Sequence, residues 1–187
     1  MSKDKVTVIL GIDPGSTIMG YSIITVFRKE LTLESMGVIR LEKYKSHYKR
    51  LHIIHEKTVK LIEQYHPTEV AIEAPFYGKN VQSMLKLGRA QGVAIAAALQ
   101  FELPVEEYAP RRIKQAITGN GNASKEQVAG MLHHLIEFDG SPSFTDASDA
   151  LATAICHHLT CNNPLGKRTS GKKDWSQFLK DNPDRVH

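Results

Sequence analysis

Near the N-terminus, Val6-Thr7-Val8-Ile9-Leu10-Gly11-Ile12 forms a nearly unbroken apolar run that closes on the acid Asp13. A strand without polar alternation must be covered on both faces, so helices have to pack above and below the sheet it joins. Asp13-Pro14-Gly15-Ser16-Thr17 then reads as a turn, because Pro presets φ and Gly tolerates the left-handed region. A carboxylate at a strand end, feeding a loop, occupies the place where α/β sheets carry their reactive groups.

The rest of the pattern fills in around that strand. Residues 20–26 and 31–41 read as two further strands, joined by the polar hairpin connection Arg28-Lys29-Glu30. Leu51, Ile54, Val59, Ile62 and Tyr65 fall on one face of a helix over 46–65, which Pro67 ends. A fourth strand covers 69–74. A second helix spans 79–101, its small residues Gly88, Ala90, Gly92, Ala94 and Ala96 to Ala98 permitting close approach of another backbone. A fifth strand follows at 104–108. A short helix over 111–118 stops at Gly119-Asn120-Gly121, and Ser124-Lys125-Glu126-Gln127 resembles a capping box opening a helix to about 137. A loop over 138–144 precedes a last helix at 145–159. The predicted fold is α/β, with a mixed five-stranded sheet flanked by helices: three antiparallel strands, then two parallel to the first. Pairing of the fourth strand beside the first would make Asp13 and Glu73 neighbours.

Composition sets outer bounds. A chain of 187 residues with 41% hydrophobic content suffices for one well-cored domain. We divide it into a domain over 1–161 and a basic C-terminal extension over 162–187, expected to be flexible. That extension holds six basic residues against three acidic ones, so +3 of the net charge of +4 lies there and the remainder is nearly neutral. Global charge is therefore a weak argument for a nucleic-acid partner. No apolar stretch reaches membrane-spanning length and no signal-peptide core follows Met1, so a soluble cytoplasmic protein without membrane attachment is expected. Cys156 and Cys161 are too few for a disulfide framework and read as reduced thiols. His157 and His158 beside them bring zinc to mind, but the sequence offers no matching half-site, and zinc is set aside. His52, His55, His133 and His134 lie on predicted helices and receive no role.

Four acids carry the chemistry. Asp13 and Glu73 end apolar strands, while Asp146 and Asp149 open the last helix, with Cβ atoms about 5–6 Å apart on one face. Carboxylates converging at a sheet edge repel unless cations lie between them, so the set reads as a site for hard divalent metals. Two such ions about 3.5–4 Å apart hold the attacking water and the leaving oxygen of an in-line phosphoryl displacement. Taken singly, Asp146 is an ordinary helix-start charge and Asp13 an ordinary turn former. Their joint placement is what argues for phosphodiester hydrolysis.

Five blocks in order are similar to a known family: Gly11-Ile12-Asp13-Pro14-Gly15-Ser16, Ala71-Ile72-Glu73-Ala74-Pro75-Phe76, Leu85 to Gly92, Tyr108 to Gln115, and Asp146-Ala147-Ser148-Asp149-Ala150-Leu151. Over about residues 6–160 the chain resembles the RuvC family of crossover-junction endodeoxyribonucleases. The resemblance implies an RNase H-like fold, a homodimer, and Mg²⁺-dependent paired nicking of Holliday junctions in recombination and repair, with two ions per site and Mn²⁺ as a substitute. It assigns Asp13, Glu73, Asp146 and Asp149 as catalytic metal ligands. It further implies cooperation with a branch-migration helicase complex.

For the DNA-facing residues, Phe76 and Tyr77 follow Glu73 on a loop bounded by Pro75 and Gly78, where an aromatic can wedge against an unpaired base at the crossover. Lys79, Arg112, Lys114 and Lys125 are candidate phosphate contacts, with Arg111, Lys86 and Arg89 extending the track. In the resembled family, the residues matching Lys114 and Lys125 support catalysis and phosphate binding. Two rival functions share parts of this pattern. One is another RNase H-like nuclease, acting on ribosomal RNA precursors; the other is a branched-DNA binder without catalysis, which four bare carboxylates facing phosphate argue against. Actin-like and sugar-kinase ATPases need a second glycine-rich phosphate loop and a second domain, and the chain has neither.

Overall fold

The computed structural model describes residues 6–28, 30–75, 80–138 and 145–162. Among these residues, five strands and five helices follow in the order β1 (Thr7–Asp13), β2 (Ile18–Phe27), β3 (Glu30–Arg40), α1 (His47–Tyr65), β4 (Glu69–Glu73), α2 (Val81–Leu99), β5 (Val105–Tyr108), α3 (Pro110–Thr118), α4 (Lys125–Leu135) and α5 (Thr145–Asn162). The sheet order is β3-β2-β1-β4-β5, with β1–β2 and β2–β3 antiparallel and β1–β4 and β4–β5 parallel. This is the RNase H-like arrangement expected from the sequence. Element ends differ by a few residues: α2 is shorter at both ends than the apolar pattern suggested, and α5 runs on to Asn162. Phe76, Tyr77 and Lys79, and the extension from residue 163 onward, lie outside the described residues.

The unalternating β1 is covered on both faces. On one side, Leu10, Ile12, Val70 and Ile72 pack against Ile54 and Ile62 of α1 and Ala90 and Ala94 of α2. On the other, Ile9, Ile24 and Ala71 meet Leu151, Ala154 and Ile155 of α5, with Ile113 of α3 and Leu132 of α4 closing that core. The capping box forms as predicted: Gln127 N–H donates to Ser124 Oγ at 3.3 Å, and Ser124 N–H donates to Gln127 Oε1 at 2.9 Å. It fixes where α4 begins, and so where Lys125 stands.

Helix α5 lies close on β1 and β2 because two glycines leave it room. A Cβ on Gly11 would run into the Ala150 carbonyl oxygen and Ser22 Oγ; one on Gly20 would run into the Asp146 carbonyl. With hydrogen in those positions the helix backbone rests on the sheet, and Ser22 Oγ donates to the Ala150 carbonyl at 3.0 Å. That contact satisfies a fully buried hydroxyl and fixes the height of the helix start above the strand ends.

Candidate metal centre

Register brings the strand-end acids together. The β1–β4 ladder runs to Ile12 opposite Ile72, so Asp13 and Glu73 are the next residues along each parallel strand. Side chains alternate faces with period two. Asp13 therefore shares the face of Ile9 and Gly11, and Glu73 that of Ala71, both toward α5. Gly20 opposes Asp13 on β2, and its missing side chain is what admits the Asp146 backbone at the same place. The first turns of α5 thereby deliver Asp146 and Asp149 over the ends of β1 and β4. Carboxylate oxygens of Asp13, Asp146 and Asp149 all lie within 4.8 Å of one another.

Burial and mutual repulsion act on these groups. Burial, then the charges of Glu73, Asp149 and Asp146, push Asp13 up to about 8. Burial and then the Asp149 charge push Glu73 up to about 7. Two cations work against the repulsion: Lys125 lowers both carboxyls, and Lys114 lowers Glu73. Lys125 Nζ donates to Asp149 Oδ2 at 2.8 Å, and that hydrogen bond raises the ammonium's own pKa. A half-buried quartet of acids with too few cations is a donor set for a hard divalent ion, since oxygen ligands with residual charge suit Mg²⁺ or Mn²⁺. The residues present fit such an ion.

The remaining candidates separate by position. Lys114 and Lys125 both reach the field of the acids. Arg112 is exposed and acts instead on Tyr108 at the end of β5 and on Cys156, farther along α5. The Arg111 side chain packs against Gly121 in the α3–α4 turn. Lys86 and Arg89 of α2 depress His47 at the start of α1, after the larger effect of its desolvation, so they belong to a basic patch beside α1.

Two supporting residues escaped sequence reasoning. Arg50 of α1 donates to the carbonyls of Tyr44 at 2.7 Å and Ser16 at 3.1 Å, pinning the turn that follows Asp13. Gln91 of α2 is buried, and its amide donates to Glu107 Oε2 at 2.8 Å and to the Glu73 carbonyl at 3.4 Å. A Gln set among the alanines and glycines of the helix's second half was the available signal for the second. Nothing local distinguishes Arg50 from its basic neighbours.

The family model for "Crossover junction endodeoxyribonuclease RuvC" matches residues 9–157. A protein of that name from Christiangramia forsetii is 54% identical over 180 residues, covering 96% of this chain and 92% of the relative. Its namesake from Bacteroides fragilis is also 54% identical, over 184 residues, covering 97% of each chain. Among solved structures, the Thermus thermophilus RuvC in complex with Holliday junction substrate superposes with a TM-score of 0.77 at 30% identity, covering 83% of this chain and 94% of that one. The protein belongs to the RuvC family of crossover junction endodeoxyribonucleases.

Proposed function

We propose that this protein is a structure-selective endodeoxyribonuclease that resolves four-way DNA junctions by metal-assisted phosphodiester hydrolysis. The observation that carries the reading is the convergence of Asp13, Asp146 and Asp149 oxygens within 4.8 Å, beside Glu73, in a chain of this family. Asp13, Glu73, Asp146 and Asp149 are the residues that would hold the divalent ions, and we take these to be two Mg²⁺. When bound, they supply neutralisation of the attacked phosphate and activation of a water at neutral pH.

The chain's own contributions follow from where its groups stand. Asp13 and Glu73 lie at rigid strand ends, so their oxygens are held in place before substrate arrives. Lys125, paired with Asp149 in the absence of substrate, is placed to transfer its charge to a phosphate oxygen as negative charge accumulates there. Lys114, on α3, lowers Glu73 through its charge and would support the same phosphate. Water attacks phosphorus in line with the departing 3′ oxygen; the P–O3′ bond breaks, leaving 5′-phosphate and 3′-hydroxyl ends.

Symmetry argues for a homodimer, because an isologous pair presents two identical sites to two strands of like polarity. We carry over from the sequence reading a wedge role for Phe76 and Tyr77, a phosphate role for Lys79 and Arg112, and a branch-migration helicase partner. With DNA as substrate we place the protein in the cytoplasm; none of its described helices is long and apolar enough to cross a membrane. The deciding experiment compares nicking of a synthetic four-way junction with that of linear duplex, in Mg²⁺ or EDTA, for wild type and Asp13→Asn. Junction-selective, Mg²⁺-dependent cutting that the substitution abolishes is expected; equal cutting of linear duplex, or an indifferent variant, would overturn the assignment.

A further inference from the structure

A second group of ligand-type side chains lies at the opposite end of α5. His157 Nε2 stands 2.7 Å from Glu69 Oε2 and 3.8 Å from Cys161 Sγ, and the three donor atoms lie within 4.8 Å of one another. These residues come from two elements: Glu69 opens β4, while His157 and Cys161 are an i,i+4 pair on the last turns of α5. Nothing in the junction-cleaving reading uses them.

We propose that Glu69, His157 and Cys161 form a second metal site, distinct from the acidic cluster, that takes a borderline-soft divalent ion of the zinc type. Convergence is the first argument. A proton on Nε2 can be donated to one acceptor, yet a carboxylate and a sulfur both gather at that single nitrogen. A cation between them serves all three. Geometry is the second. Bonds of about 2.0 Å to nitrogen and oxygen and 2.3 Å to sulfur place tetrahedral donors roughly 3.3–3.6 Å apart. The sulfur already lies near that spacing, and Glu69, with a third of its side chain exposed, can withdraw by about half an ångström.

The third argument is orientation. His157 is buried, and its other ring nitrogen, Nδ1, lies 2.8 Å from Tyr108 Oη. With Nδ1–H donating to that oxygen, the Nε2 lone pair faces Glu69 and Cys161, as metal-bound histidines are usually held by a partner on the second nitrogen. The end of a helix, where carbonyls accumulate negative potential, also suits a cation.

Donor chemistry sorts the two sites. The acidic cluster offers only oxygen, which suits Mg²⁺; the second offers nitrogen, sulfur and one oxygen, which suits Zn²⁺. Cys156 is not a ligand: it is buried and its Sγ is turned to the Arg112 carbonyl, 3.9 Å away, outside the cluster. Three protein ligands and a water make an open site, looser than a closed four-ligand one, so we expect the ion to load reversibly. Its place is mechanical. It clasps β4 to α5, the two elements that carry Glu73 and the Asp146/Asp149 pair at their other ends.

Cobalt provides the probe. Co²⁺ added to the reduced, metal-free full chain should give a thiolate-to-cobalt absorption band in the near ultraviolet, saturating at one equivalent. Zn²⁺ should abolish it, and a thousandfold excess of Mg²⁺ should leave it unchanged. The band should persist in Cys156→Ser and in Asp13→Asn, and vanish in Cys161→Ser; this last variant removes an exposed thiol and leaves the core intact. Absence of the band in wild type, its survival in Cys161→Ser, or its displacement by Mg²⁺ would overturn the site. Asp13→Asn separates the two functional readings, because it should lose junction nicking while retaining the cobalt signal.

Discussion

The two ends of α5 carry polar clusters of opposite character. At its start, Asp146 and Asp149 are brought against Asp13 and Glu73, and burial with mutual repulsion raises two of the four carboxyls by several pH units. At its finish, His157 places each ring nitrogen beside a partner, Tyr108 on one side and Glu69 on the other. One helix thus holds an all-carboxylate site in electrostatic conflict and, at its other end, a mixed cluster that ties it to β4 and β5. The contrast is informative because both clusters draw on the same strand, β4, through Glu73 and Glu69. Four acids can be kept together only if the elements bearing them are prevented from sliding apart, and the core between the clusters, with Ala71 on the strand and Leu151, Ala154 and Ile155 on the helix, provides that resistance.

The largest expected effect breaks the conflicted end. Asp13→Asn should reduce junction nicking on the order of 10³–10⁴-fold, the scale seen when one member of a catalytic set is removed. The same change should stabilise the metal-free protein by about 1–3 kcal/mol, because it removes a carboxyl that must take up a proton to be buried among like charges. Folded Asp13 holds its proton to about pH 8, whereas an unfolded one ionises near 3.8. Throughout that interval the folded chain binds the extra proton, so metal-free stability should fall as pH rises from about 4 to about 8 and then level off. Glu73 contributes in the same direction up to about pH 7. Thermal melting in EDTA across this range should show the decline in wild type and a shallower one in Asp13→Asn. A flat wild-type profile would mean that the acids do not conflict.

A different perturbation tests how the helix start is held. Gly20→Ala directs a methyl group at the Asp146 carbonyl, and the contact is with backbone, which cannot rotate away. We expect a loss of roughly 3 kcal/mol in stability, together with nicking impaired beyond what the residual fold explains. Guanidinium unfolding and junction cleavage on the same preparation would measure both. Wild-type values would show that α5 does not need to lie so near the sheet.

Much of this arrangement was legible in the chain. Asp13 and Glu73 stood out because each ends an apolar run, and Asp146 and Asp149 because they open an otherwise apolar helix face. The strand directions followed from a hairpin start and helical crossovers, whereas the full order β3-β2-β1-β4-β5 came only with the fold. What escaped notice depends on distance in sequence. Gly20 reads as an ordinary strand glycine until a helix more than a hundred residues away rests on it. Glu69 reads as a solvated charge at a strand start, yet it meets His157 across 88 positions. The cysteine–histidine segment offers no metal half-site in sequence; Glu69, which the fold sets beside His157 and Cys161, lies far off on β4. Gln91 was visible only as a polar residue among alanines, with nothing to say that Glu107 and the Glu73 carbonyl were its partners.

Lys125→Ala is the next step down in size. It deletes the ammonium 2.8 Å from Asp149, leaving the acids with less compensation. Nicking should fall about 10²-fold, the usual consequence of removing one donor aimed at developing charge. Because Lys125 is exposed, the folded state should lose no more than about 1 kcal/mol. Lys114→Ala should follow the same pattern with a smaller kinetic effect, its influence reaching Glu73 alone among the shifted carboxyls. Single-turnover cleavage of a fixed junction sequence separates the two. A Lys125 variant with the wild-type rate would leave the ammonium as only a counter-ion of the resting site.

The smallest effect belongs to the histidine end. Tyr108→Phe keeps the ring packed against α5 and removes only the hydroxyl from His157 Nδ1. An unpartnered ring nitrogen in a buried place costs about 1–2 kcal/mol, which at this chain length lowers Tm by a few degrees. Nicking below the new melting range should stay within about twofold of wild type, since the phenol lies along α5 from the acids and touches none of them. The pairing of a measurable stability loss with an unchanged rate is the signature of an anchor. If Tyr108→Phe instead slows cleavage as strongly as Lys125→Ala, the two ends of α5 are energetically coupled, and the histidine cluster must be counted as positioning the acids rather than only securing the helix that bears them.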